Sequence, residues 1–308
     1  MTVKITQSPE VQALLDKLSG LDQAGGDARL KQIIRRIVGD LFATIDEFDI
    51  SDDEFWGAMN FCIAGAQEYG LWAAGLGIER FLDMRADAAD AQAGITGGTP
   101  RTIEGPLYVA GAPEAEGAAR MDDGSEDGKG ELMVLHGQVR DTDGNPVAGA
   151  KVEAWHANTL GNYSIFDQSQ TPFNLRRTVF TDADGRYAFR SFIPTGYGCP
   201  EGGSTDRILK AIGRHGNRPA HVHYFVSKPG MRHLTTQINI EGDPYIFDDF
   251  AYATREELVP TVNRVEGGEL GQKLGINGAY ADIQFDIVLN KAASAADEKA
   301  STRARAAA

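Results

Sequence analysis

The chain has 308 residues, a length that suggests about two domains and a large buried core, which excludes a peptide-sized module held together by disulfides. Asp and Glu number 44 against 30 Lys and Arg, a formal net charge of -14, the wrong sign for partners such as nucleic acid or anionic lipid. Cys62 and Cys199 lie far apart without Cys-x-x-Cys spacing, so neither a disulfide framework nor a thiolate zinc site is expected, leaving histidines and tyrosines as candidate ligands.

The opening MTVKITQSPEVQALLDKL has neither the apolar run nor the small-residue cleavage site of an export signal. No uncharged apolar stretch approaches the roughly 20 residues that span a bilayer, so a cytoplasmic protein without membrane insertion is expected. Ser8-Pro9 reads as an N-cap and first turn, and Val11, Leu14, Leu15 and Leu18 follow on one stripe that stops at Gly20. Leu30, Ile33, Ile34, Ile37, Val38, Leu41, Phe42 and Ile45 keep helical spacing over more than four turns and need a partner surface. Ser51-Asp52-Asp53-Glu54 has the form of a capping box, which predicts a third helix through Phe55, Met59, Cys62 and Ala66, and a fourth helix is expected around Leu76 to Met84. Residues 1–98 therefore read as a helical region.

Beyond Gly97 the texture changes. Pro100 to Val109 is expected to be extended, and the acidic, Gly-rich stretch from Pro113 to Gly130 a solvated surface loop. From Leu132 the hydrophobic period is two, broken by Asp143-Gly144 and Asp184-Gly185, which predicts hairpins around Val139, Lys151 to Trp155 and Arg186 to Phe192. Further strands are expected at Ala220 to Val226, Leu234 to Ile240 and Ala281 to Leu289. Many short strands without intervening helices predict a β-sandwich over residues 99–291. The Ala-rich tail, 292–308, reads as low-complexity, a helix end or disorder.

His221-Val222-His223 lies in an extended apolar run, where alternation puts both imidazoles on one face. That pattern suits a metal site, and equally a hydrogen-bonded surface pair. Tyr197 sits in Pro194-Thr195-Gly196-Tyr197-Gly198-Cys199-Pro200, a tight irregular loop of the kind that carries function. Tyr163 follows Trp155-His156-Ala157-Asn158-Thr159-Leu160-Gly161-Asn162, on a loop just past a strand. Taken singly, either tyrosine also fits a packed aromatic with its hydroxyl satisfied.

These segments, with Thr99-Pro100-Arg101-Thr102-Ile103-Glu104-Gly105-Pro106-Leu107-Tyr108 and Arg214-His215-Gly216-Asn217-Arg218-Pro219-Ala220-His221-Val222-His223, resemble the intradiol ring-cleaving dioxygenases over nearly the whole chain. The resemblance implies a mainly β fold with an α-helical N-terminal region, the β-sandwich core carrying the metal site and the helices forming a linker and dimerisation domain. It implies one non-haem Fe(III) per subunit, held by Tyr163, Tyr197, His221 and His223, and an oxidoreductase of bacterial aromatic catabolism, the β-ketoadipate pathway. The substrates would be catechol and O2, and the product cis,cis-muconate. Tyr197 would leave the metal as substrate binds. Arg218 would stabilise negative charge on the ring, and Gln237, which shares a polar strand face with Thr235 and Asn239, would hydrogen-bond beside the site. Ile103, Pro106, Leu107 and Phe250, with Leu71 and Ala74 from the helical region, are carried over as pocket walls. A homodimer through the N-terminal helices, with phospholipid in a tunnel at the interface, is also implied.

The chemistry of the implied ligands is coherent. A free phenol, with pKa about 10, binds metal poorly at neutral pH, and a trivalent hard cation reverses that preference. Two phenolates and a hydroxide then balance the three charges of Fe(III). Two rival readings remain at this stage. Asp141 to Ala154 also looks like a strand-turn-strand segment of non-enzymatic β-sandwich modules, and a zinc hydrolase could use the His-x-His pair, although the usual additional Asp and His are not beside it.

Overall fold

In the computed structural model, which describes residues 4–300, local capping signals set the first helices. The chain divides at Gln67/Glu68 into two compact units. The first holds α1 (Pro9–Leu18), α2 (Ala28–Phe48) and α3 (Asp52–Ala64). Ser8 Oγ accepts the Val11 N–H at 3.3 Å, opening α1. The Ser51 capping box forms as expected, with the Ser51 N–H on Glu54 Oε2 at 2.9 Å and the Glu54 N–H on Ser51 Oγ at 3.3 Å. The long apolar stripe lies on α2, which buries no residue completely; Leu30 is 55% and Ile37 60% exposed.

The second unit begins with α4 (Tyr69–Gly75) and α5 (Ile78–Gln92). The helix expected around Leu76 to Met84 is α5, which runs on to Gln92, and α4 precedes it as a further short helix, separated by Gly77 at φ +75° in a left-handed conformation. Thirteen strands and two further helices follow: β1 (Glu114–Glu116), β2 (Ala118–Arg120), β3 (Leu132–Asp141), β4 (Lys151–His156), β5 (Arg176–Phe180), β6 (Arg186–Phe192), β7 (Tyr197–Gly198), α6 (Ser204–Ala211), β8 (Asn217–Arg218), β9 (His221–Ser227), β10 (Leu234–Asn239), β11 (Asn263–Glu266), α7 (Glu269–Lys273), β12 (Ala279–Gln284) and β13 (Ile287–Leu289).

One sheet runs β1-β5-β4-β9-β10 and a second β11-β12-β3-β6-β2, with β13 paired to β3. Their inner faces meet in one core: Val152, Ala154, Val222, Tyr224, Val226 and Ile238 from the first, Met133, Leu135, Val139, Phe189, Ile283 and Ile287 from the second. This is the expected β-sandwich.

Three expectations need correction. The turns at Asp143-Gly144 and Asp184-Gly185 do not close hairpins: β3 and β6 lie in the second sheet and β4 and β5 in the first, so these turns carry the chain from one sheet to the other. A period of two tells which residues face inward, and both sheets share the same interior. The stretch from Pro113 to Gly130 is also more than a solvated loop. Gly117, at φ +66°, splits β1, parallel to β5, from β2, parallel to β6, and Met121, Asp122 and Glu126 are buried. Finally, α6 and α7 interrupt the run of strands expected to lack helices. In the described part of the tail, 292–300, Asp297 Oδ2 accepts the N–H groups of Ala293 and Ser294 in a turn rather than a helix; 301–308 lie outside the described residues.

The first sheet's outer face positions the candidate site. Along β9, Val222, Tyr224 and Val226 enter the core, which turns His221, His223 and Phe225 outward. Cross-strand register then sets Trp155 and Gln237 beside His223, and Asn239 beside His221.

Candidate active site

Two loops bring the tyrosines over this face. Past β4, Asn158 Oδ1 accepts the N–H groups of Leu160 and Asn162 at 3.0 and 2.9 Å, folding the chain back so that Tyr163 returns toward the sheet. Thr195 Oγ1 donates to the Thr159 carbonyl at 2.8 Å, tying this loop to the Tyr197 loop. The glycines noted in the sequence permit close approach. A Cβ on Gly161 would stand 3.1 Å from Tyr197 Cβ, and one on Gly196 only 2.6 Å from the Arg218 carbonyl oxygen, across the β7–β8 pairing of Tyr197 with Arg218.

Four ligand-type atoms follow one another in space. Tyr163 Oη is 3.4 Å from Tyr197 Oη, Tyr197 Oη 3.5 Å from His221 Nε2, and His221 Nε2 3.1 Å from His223 Nε2. His221 Nδ1 donates to the Pro219 carbonyl at 2.6 Å, which leaves Nε2 as the lone-pair atom facing the cluster. His223 stacks on Trp155, rings 4.9 Å apart and 10° from parallel, and its buried Nδ1 has no hydrogen-bond partner. Burial, reinforced by Arg218, pulls the His221 imidazole down to about 3; burial and then His221 hold His223 well below the ordinary histidine value. Both rings are neutral, as metal ligation requires. Burial raises the Tyr163 phenol well above its usual range, so only a nearby cation would ionise it.

Beside the cluster, Arg218 is almost fully buried, with every arm in use. Nε and Nη2 fork Asp249 Oδ1 and Oδ2 at 3.2 and 3.1 Å, Nη2 also donates to Gln237 Oε1 at 2.9 Å, and Nη1 reaches His221 Nε2 at 2.9 Å. Burial opposes the charge on Arg218, yet Asp249 and then the Tyr197 phenol hold it above the ordinary arginine value. Asp249 was not indicated by any sequence motif. Its carboxylate also accepts the Ala251 N–H at 3.0 Å, fixing the turn that carries Phe250.

The wall candidates separate into two groups. Leu107 packs on the aromatic cluster of Tyr108, Trp155, Tyr163 and Phe225, which Tyr197 also joins. Ile103, Phe250, Ala74 and Leu71 pack together with Leu209, and Pro106 lies under α4, where a Cβ on Gly70 would stand 3.0 Å from the proline ring. A cavity of about 420 Å³ lies apart from Tyr163, Tyr197, His221 and His223, lined by Asp83, Arg101, Thr102, Arg232 and Thr235; among the candidate site residues only Ile103 touches it. His156, from the Trp155-His156 motif, is a satisfied interior histidine between the Ala157 carbonyl and Ser191 Oγ, both at 2.7 Å. Among the described residues no group of three or more His, Cys, Asp or Glu could hold a metal ion.

The outer face of the β-sandwich thus gathers two phenols, two imidazoles and a forked guanidinium. Residues 103–291 match the family described as Dioxygenase, and 27–94 that described as Catechol dioxygenase N terminus. The chain belongs to this intradiol dioxygenase family and is an enzyme, which disposes of the non-enzymatic module. It is 58% identical to a catechol 1,2-dioxygenase of Pseudomonas sp. (strain EST1001), over 95% of this chain and 97% of that protein. It also matches two solved structures, the mercury-inhibited catechol 1,2-dioxygenase of Acinetobacter sp. ADP1 (TM-score 0.94, 50% identity, 99% of this chain and 100% of that one) and the catechol 1,2-dioxygenase of Pseudomonas arvilla C-1 (TM-score 0.92, 52% identity, 99% of each).

Proposed function

We propose that this enzyme opens catechol between its two hydroxylated carbons, with both atoms of O2 entering cis,cis-muconate, at one non-haem Fe(III) per subunit held by Tyr163, Tyr197, His221 and His223. The observation that carries the reading is the convergence of two phenol oxygens and two neutral imidazole nitrogens beside a buried guanidinium. The donor set fits a ferric ion. Phenolates are hard, charged donors, and two of them with a hydroxide match three positive charges, whereas zinc sites favour thiolates or histidine clusters and non-haem Fe(II) oxygenases a carboxylate.

Iron, when bound, supplies Lewis acidity toward the catechol oxygens and the redox partner for O2. The chain supplies the rest. Tyr163, Tyr197, His221 and His223 would hold the iron, and Tyr197 Oη would be the base for one catechol hydroxyl proton, a metal-bound hydroxide being the base for the other, so that the buried charge would be unchanged. The Tyr197 loop is anchored by Thr195 and by pairing with Arg218. Arg218 faces the ring with a fixed positive charge that stabilises the negative charge developing there, and Gln237 and Asp249 hold its plane. Ile103, Pro106, Leu107 and Phe250, with Leu71 and Ala74, wall the ring and keep water from it.

Residues 1–98 serve as the linker and dimerisation domain, 99–291 as the catalytic domain and 292–308 as a tail. The exposed stripe of α2 supports a homodimer with phospholipid at the interface. The enzyme works in the cytoplasm; among the described residues no helix is long and apolar enough to cross a membrane.

Iron reconstitution tests the reading. Protein loaded with Fe(III) is expected to turn red to burgundy through phenolate-to-iron charge transfer and to consume O2 with catechol while releasing the ring-opened diacid, and His221→Ala to lose the iron. Protein that stays colourless after reconstitution, or O2 uptake without the diacid, overturns it. Rates on catechol, 4-methylcatechol, 4-chlorocatechol and hydroxyquinol rank the ring substituents.

A further inference from the structure

Arg176 has no part in the mechanism above, yet it is 1% exposed. It opens β5 opposite Trp155, at the edge of the face that carries the tyrosine and histidine cluster. Arginine is almost never fully buried without an acidic partner, because an uncompensated charge in a low-dielectric interior is strongly unfavourable. Arg176 makes only neutral contacts: Nη1 donates to the Leu107 carbonyl at 2.7 Å, Nε to Ser164 Oγ at 3.3 Å, and Nη2 has no partner. Burial pulls the Arg176 guanidinium down to about 10, still charged at neutral pH, and the ionisable groups that favour its charge are two phenols, Tyr163 and then Tyr108. Tyr108 Oη donates to Glu153 Oε1 at 2.8 Å, so that phenol keeps its proton. Tyr163 remains, with its ring centre 5.6 Å from the guanidinium carbon and Ser164, its neighbour in sequence, already bonded to Nε.

We propose that Arg176 is the buried counter-charge of the Tyr163 phenolate and sets how strongly that phenolate donates to the metal. This rests on the ligand reading above, since only a metal-bound Tyr163 is anionic. A guanidinium carries its charge at every working pH, so the pairing is permanent. A fixed positive charge beside a phenolate lowers its donor orbital, which moves charge transfer to higher energy, and it favours the less positive Fe(II) state, which raises the midpoint potential. The same guanidinium ties the Tyr163 loop, through Ser164, to the Leu107 carbonyl of the substrate wall. Arg176 is thus a positioning and tuning residue, acting through Tyr163.

The test compares Arg176→Gln, Arg176→Met and Arg176→Lys in iron-reconstituted protein, reading the visible charge-transfer band and the Fe(III)/Fe(II) midpoint potential. The two neutral variants are expected to shift the band to longer wavelength and lower the potential, while Arg176→Lys stays near wild type. A band unmoved in Gln and Met, or moved equally in Lys and Met, overturns the proposal. Failure of both neutral variants to fold in the absence of iron also overturns it, because the guanidinium would then be kept for packing. A coloured, active wild type with an unmoved Arg176→Gln spectrum sinks this proposal alone; a wild type that takes up no iron sinks the ligand reading and this proposal with it.

Discussion

Arg218 and Asp249 illustrate what fixes a buried charge at the residue scale. The guanidinium meets one carboxylate through two parallel hydrogen bonds, leaving Nη1 as the arm that points at His221. Asp249→Asn would keep the shape and remove the charge, leaving Arg218 buried without its partner, for which a loss of about 3–5 kcal/mol is expected. Denaturant unfolding measures that loss. Among molecules that remain folded, kcat on catechol is expected to fall more than KM rises, because Arg218 acts on charge that develops during the reaction; an unchanged kcat would remove Asp249 from the positioning of Arg218. Arg218 was visible in the sequence because it belongs to the run that ends in His221 and His223. Asp249 was not, because its partner is 31 residues away and nothing around Asp248-Asp249 announces an ion pair.

Among elements, the β7–β8 pairing matters most for its size. Two residues of each strand set Tyr197 against Arg218, and the pairing depends on Gly196 lacking a side chain. Gly196→Ala would press a methyl group onto the Arg218 carbonyl and Asp243 Oδ2, neither of which can retreat without moving the loop. The expected result is a destabilisation of about 1–3 kcal/mol, read by thermal unfolding, together with a shifted charge-transfer band after iron loading. The run Pro194-Thr195-Gly196-Tyr197-Gly198 already marks this loop as irregular. Whether turns such as Asp143-Gly144 close a hairpin or cross between sheets was not legible, because both outcomes bury the same alternate residues.

At the largest scale, the apolar face of α2 calls for a covering partner. A helix with Leu30 and Ile37 more than half exposed carries an apolar face of the kind that marks an interface. Light scattering at micromolar concentration is expected to give a mass near twice the chain's 33.2 kDa, and Ile37→Glu to move it toward the monomer; monomer alone in the wild type would contradict the dimer.

Local events are legible in the sequence: the caps of α1 and α3, the end of helical periodicity near residue 97, and the two histidines on one strand face. These depend on neighbours a few residues apart, where geometry follows directly from residue type. How the two sheets divide the strands, where β1 and β2 pair at the sheet edges, and that Asp249 meets Arg218 while Arg176 is buried with neutral partners, emerge from the folded structure alone. Such choices depend on which buried groups find partners across the fold, and a hydrogen bond or ion pair between distant residues leaves no periodic trace in the sequence.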